Sequence, residues 1–235
     1  MGSPHEERQG CTLRDAFHEE LDALSDQLVE MTGLVHSAMT RATTALLDAD
    51  LGIAESVIAA DERLDALHHD LEERAYDLLA RQQPVATDLR IIVAALRMSA
   101  DLERMGDLAR HVAQVARMRY PSVAVPADVR ATLVQMGQVA TRIVLKAGSI
   151  VADKDVKIAL ELERDDDEMD RLHRDLFTLL LADDWDHGIE AAIDLTLLGR
   201  YYERFADHAV AVAQRVVFLV TGEHPGTASA SPLPA

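Results

Sequence analysis

One cysteine, few aromatic residues, few prolines and little positive charge mark this chain, and each shortage excludes something. Cys11 is the only cysteine, so no internal disulfide can form and a disulfide-stapled scaffold is ruled out. A reducing interior suits that usage, and a cytoplasmic location is the expectation. Aromatic residues make up 4% of the sequence and hydrophobic residues 49%, so Leu, Ala, Val and Met must fill the core. Such a core favours close helix packing over a sheet sandwich. Seven prolines in 235 residues leave long stretches free of helix breakers. The formal charge is −18, from 41 acidic and 23 basic residues. Nucleic-acid binding needs clustered Lys and Arg, so it is not expected. Direct capture of free phosphate by side chains is disfavoured for the same reason. The balance suits a cation-binding protein, although a solvated acidic surface alone accounts for most of it.

Other absences narrow the function. Met1 to Thr12 is polar and does not read as a secretory leader. The apolar run Val210 to Val220 is broken by Gln214 and Arg215 and is too short to span a bilayer. No Gly-rich phosphate loop appears, nor any Ser/His/Asp or Cys/His arrangement with a supporting motif. An enzyme is therefore not expected.

What the sequence does have is helical periodicity. Phe17, Leu21, Leu24, Leu28, Met31, Val35, Ala38, Ala42 and Ala45 follow one another at spacings of four and three. That is the stripe of a helix packed in a bundle. Val57, Leu64, Leu67, Leu71, Ala75 and Leu78 make a second stripe, which stops before Pro84. A third helix is predicted from about Asp88 to Arg119, ended by Tyr120 and Pro121. Pro126 opens a fourth, with Val129, Leu133, Met136, Ala140, Ile143, Ala147 and Ile150 in its stripe. A fifth is predicted from about Asp155 to Leu181 and a sixth from about Ile189 to Val220. The fold class expected is all-α.

The third and sixth helices repeat one another. Glu103 to Gln114 aligns without gaps to Glu203 to Gln214, with seven of twelve positions identical. Upstream, Asp65-Ala-Leu-His-His-Asp-Leu71 matches Asp170-Arg-Leu-His-Arg-Asp-Leu176 in the same order. Two matches in register predict an internal duplication into tandem three-helix bundles. The expected division is an unstructured extension at 1–12, one bundle at 13–121, its repeat at 122–221 and an unstructured tail at 222–235.

The repeated E-R-x-x-D resembles the E(D)xxxD signature of the PhoU family, whose two-bundle layout would cover Arg14 to Thr221. This resemblance implies an intracellular accessory regulator. Such a protein holds off the phosphate-starvation response, modulates phosphate uptake, and acts between the ATPase of the phosphate ABC transporter and a sensor histidine kinase. It also implies a homodimer that reaches the membrane only through its partners. The family's signature carboxylates are associated with metal ions, and the motif transfers here onto Glu103 and Asp107, and onto Glu203 and Asp207.

The residues themselves support a geometric reading. Positions i and i+4 share a helix face, so E-x-x-x-D sets two carboxylates side by side, where they repel unless a cation bridges them. Such pairs recur elsewhere, Asp22 with Asp26 and Glu73 with Asp77 among them, and most are solvated faces. The hairpin about Pro84, however, brings Asp61 and Asp65 level with Asp107 and Glu103. The turn near Asp186 and His187 does the same for Asp166 and Asp170 with Asp207 and Glu203. Asp101 and Asp167 are near enough in sequence to join. Two oxygen-rich sites for hard cations are therefore expected, for iron, zinc, manganese or magnesium.

Neighbouring residues carry less. His68 and His173 recur at one repeat position, and the structural reading, half-exposed residues inherited by duplication, is favoured over ligation. Arg104 and Arg204 are expected to hold the carboxylates by salt bridges. The competing function is a carboxylate-bridged metalloenzyme or metal store on a ferritin-like bundle. That reading needs E-x-x-H, whereas Gly106 and Ala206 stand three residues after Glu103 and Glu203. The adaptor reading is preferred.

Overall fold

The computed structural model describes the backbone of residues 4–222 and the side chains from residue 16, other than those of residues 160 and 163. Six helices follow in order: α1 (Pro4–Asp48), α2 (Leu51–Gln82), α3 (Thr87–Arg119), α4 (Arg130–Asp153), α5 (Val156–Leu180) and α6 (Gly188–Thr221). Among the described residues there is no strand. The stripes read from the sequence are the buried faces. Leu24, Leu28, Met31 and Val35 on α1 are fully enclosed, as are Leu133, Met136, Ile143 and Ile150 on α4.

Helix ends follow local chemistry. Asp50 caps α2 by accepting from the Ile53 amide at 2.9 Å, and Asp155 caps α5 by accepting from Lys157 at 2.8 Å. Gly222 closes α6 in the left-handed region at φ 74°, where a residue without Cβ adds no strain. The start of α1 differs from expectation. The helix runs from Pro4, through a stretch read as an unstructured extension. Proline suits a first helical turn, and the polar residues after it are adequate helix formers. The tail lies outside the described residues apart from Gly222.

α1, α2 and α3 pack on one another, α5 packs on α4 and α6, and α4 packs on α6. The two bundles also join, since α1 meets α4 and α3 meets α6. One continuous core draws buried residues from all six helices. The joining helices run antiparallel. Thr32 lies against Gly148 and Thr43 against Gly137, while His111 stacks near Tyr201 and Asp101 bonds His208. Tyr202 is wholly enclosed at this seam, and its hydroxyl lies 2.7 Å from that of Thr43. Burial pushes its phenol well above the usual tyrosine range.

Candidate functional site

Each helical hairpin presents a group of carboxylates on its facing helices. In the first, α2 supplies Asp61 and Asp65 one turn apart, and α3 supplies Glu103 and Asp107 one turn apart. Gly106 is what lets the helices approach. A Cβ there would stand 2.2 Å from Leu64 Cδ2 and 3.3 Å from Asp61 Oδ1. Only 9% of the Asp61 side chain is exposed. Its carboxyl is pushed up to about 6, first by burial and then by Asp65, Asp107 and Glu103, with Arg110 pulling against them. Glu103 is raised too, by burial before the charge of Asp107, while Arg104 opposes.

Arg110 occupies the middle of this group. Its Nε lies 2.7 Å from Asp61 Oδ2, and its Nη2 donates to Asp107. Arg104 flanks the group, 3.2 Å from Asp107 and 3.6 Å from Glu103. The first cluster therefore already holds a cation, one built into the chain.

The second cluster has the same acids without that arginine. Asp166 is pushed up to about 6 by burial, then by Asp207, Asp170, Asp167 and Glu203, with no cation among its main influences. Position 210, the repeat equivalent of Arg110, is valine. The three consecutive aspartates of α5 diverge because a helix turns about 100° per residue. Asp165 points to α4, where Lys146 lies 2.7 Å away and Arg142 3.1 Å away. Asp166 faces α6, and Asp167 is exposed. Glu203 is held by Arg200, not by the expected Arg204.

The structure thus brings together Asp61, Asp65, Glu103 and Asp107, and separately Asp166, Asp170, Glu203 and Asp207, with Asp167 at the margin of the second group. Asp101 is elsewhere. It lies on the seam between α3 and α6, 3.0 Å from His208 Nδ1 and ion-paired with Arg215. Asp101 and Asp107 are six positions apart, which at about 100° per residue turns the two to different faces. His68 bonds the Ser99 hydroxyl at 3.1 Å. His173 rests against Phe177 and Gly199 instead, and its Nε2 has no partner.

The donor set is all oxygen, which fits hard cations. Among the described residues no three of these side chains converge as they stand on one ion-sized point. Binding would need the exposed Asp170 and Asp207 to swing inward and Glu203 to release Arg200. The sequence reading missed Arg110 and Arg200. Aligning the repeats beyond their identities would have found both, because Arg110 faces Val210 and Arg200 faces Ala100.

Comparison with known proteins agrees with this architecture. The PhoU domain family model matches residues 28–116 and again 133–216, one match per bundle. The phosphate-specific transport system accessory protein PhoU homolog 2 of Mycobacterium tuberculosis is 51% identical over 91% of this chain and 100% of its own length. PhoU homolog 1 of Mycobacterium leprae is 49% identical over 91% of this chain and 96% of its own length. Among solved structures, PhoU from Pseudomonas aeruginosa superposes with a TM-score of 0.78 at 30% identity, covering 88% of this chain and 100% of that one. The phosphate transport system regulatory protein PhoU from Streptococcus pneumoniae gives 0.79 at 25% identity, with 88% and 98% covered.

Proposed function

Because this chain belongs to the PhoU family, we propose that it is an accessory protein of a phosphate-specific transport system that keeps the phosphate-starvation response off when phosphate is plentiful. It modulates phosphate uptake as an adaptor between the transporter ATPase and a sensor histidine kinase, and it reaches the membrane through them. Its relatives carry the names of accessory and regulatory proteins, not of enzymes. No described helix is long and apolar enough to cross a membrane, which suits an adaptor recruited by others. As an adaptor it works as a homodimer.

The observation that carries the metal part of this reading is the second carboxylate cluster. Asp166, Asp170, Glu203 and Asp207 share one level of the α5–α6 hairpin, and the neighbouring acids rather than a lysine or arginine dominate the electrostatics of Asp166, with Arg200 held by Glu203. A divalent or trivalent cation such as manganese, iron, magnesium or zinc would cancel that repulsion and clamp α5 to α6. In the first cluster such an ion must compete with Arg110, so the second is the stronger site. Metal analysis of protein purified without added ions or chelators, followed by titration with each metal, tests this; no bound metal and no titration would reject it. For the cellular role, deleting the gene should leave starvation genes switched on in phosphate-rich medium. Continued repression after deletion of every paralogue as well would end the adaptor reading.

A further inference from the structure

The turn between α5 and α6 carries a surface that the carboxylate clusters do not use. Phe177 and Leu181 on and just after α5 stand beside Ile189, Ile193 and Leu197 on α6, around a groove of about 540 Å³ walled partly by Trp185. These side chains are open to solvent, Leu181 at 81%, Ile189 at 80% and Ile193 at 55%. Single exposed apolar residues are ordinary, but five converging on one groove mark an interaction surface. The spacing Ile189, Ile193, Leu197 keeps one face of α6, and Phe177 with Leu181 keeps one face of α5. A trough between two helices of this kind accepts a third helix.

Charge decides what that helix is. Asp183, Asp184 and Asp186 are all exposed in the turn, while Glu190 on the first turn of α6 is already paired with Arg119. No lysine or arginine lines the groove; Arg174 and Arg200 sit about a turn beyond its far end. A second copy of the same face would set one acidic turn against another. An anionic bilayer would be repelled as well. The first repeat carries Arg90 and Arg97 where the second has Glu190 and Leu197. We propose that the α5–α6 turn is a docking site for a basic amphipathic helix of a partner protein. The partner's apolar stripe fills the groove, and its Lys and Arg residues meet the aspartates of the turn. This inference rests on exposure and charge and holds independently of the metal sites and of the phosphate reading.

The chain's single tryptophan reports occupancy, since Trp185 lines the groove. The full chain would be titrated with a synthetic helix of leucines and lysines, about 18 residues or five turns long, and with its counterpart bearing Glu in place of Lys. The lysine peptide should shift Trp185 emission to the blue and bind at least about 10-fold more weakly at high salt. Ile189→Ser with Ile193→Ser should weaken it about 10-fold or more, with an unchanged circular dichroism spectrum. Asp183→Asn, Asp184→Asn and Asp186→Asn together leave the apolar floor intact, and should remove most of the salt dependence. Equal binding of the glutamate peptide, or parent-like binding by the triple Asn variant, overturns the proposal. Dimerisation of the parent lost in the Ile variant assigns the face to a second copy and overturns it also. Variant-sensitive pelleting with phosphatidylglycerol vesicles assigns it to a bilayer, with the same consequence.

Discussion

The two carboxylate clusters descend from one repeat, yet they solve the same electrostatic problem differently. Around Asp61 the chain supplies its own cation, Arg110, ion-paired with two of the four acids. Around Asp166 it supplies Val210 in that place, and its one paired cation, Arg200, goes to Glu203 instead of to Asp166. Duplication preserved the acids and the helix register; divergence at two positions, Arg110 against Val210 and Ala100 against Arg200, moved the built-in cation from the buried aspartate to the glutamate. Identical motifs therefore do not imply identical sites, and the neighbours of a motif decide whether its charges are already spent on each other.

The comparison can be broken by exchanging Arg110 and Val210. Arg110→Leu leaves the nearly enclosed Asp61 without its partner and should cost on the order of 3 kcal/mol at neutral pH. Adding Asp61→Asn should recover much of that loss, and denaturant unfolding of both variants checks it. If Arg110→Leu is as stable as the parent, Arg110 does not hold the first cluster. The reverse exchange, Val210→Arg, should weaken cation binding at the second cluster on the order of 100-fold, because a unit charge about 4 Å away is worth a few kcal/mol even near a surface. Calorimetric titration with manganese reads this directly, and unchanged affinity would sink the claim that Arg110 sets the difference.

Smaller effects sharpen the contrast. Asp207→Asn should stabilise the metal-free protein by about 0.5 kcal/mol through relieved repulsion, whereas Asp107→Asn should destabilise it by about 1 kcal/mol because Arg110 loses an acceptor. Opposite signs from equivalent residues are the test; equal signs would refute the asymmetry. The weakest handle is pH. Asp166 is raised from the ordinary value of 3.8 to about 6, so the folded protein binds this proton more tightly than the unfolded chain. Its contribution to stability is complete below about pH 4 and is lost as pH rises through 6. Cation affinity at the second cluster should move the other way, rising between about pH 5 and pH 7 as Asp166 ionises, and Asp166→Asn should flatten both trends.

Much of this was legible in the sequence. The three-and-four spacing of Leu21, Leu24, Leu28 and Met31 reported a buried face, and the hairpin arithmetic placed Asp61 near Asp107 and Asp166 near Asp207. What failed was facing. Asp101 was counted with the first cluster on proximity alone, but helical rotation turns it to α6, where His208 and Arg215 take it up. Partners from a helix more than 100 residues away leave no local signal. The shared core was hidden for a similar reason. Periodicity shows that a helix has a buried stripe, and it does not say that α1 buries against α4 as well as against α2 and α3.

That seam between the bundles also records history. α1 lies antiparallel to its own counterpart α4, and α3 to α6, so each repeat covers the other with the same face. Such reciprocity is the signature of a twofold dimer. When two subunits become one chain, the interface is kept while its halves are freed to differ. Asp101 binding His208 with no mirror-image pair, and Tyr202 reaching Thr43 from one side only, are the marks of that freedom. A seam built like a dimer interface, but inside one chain, leaves the two halves free to carry different surfaces.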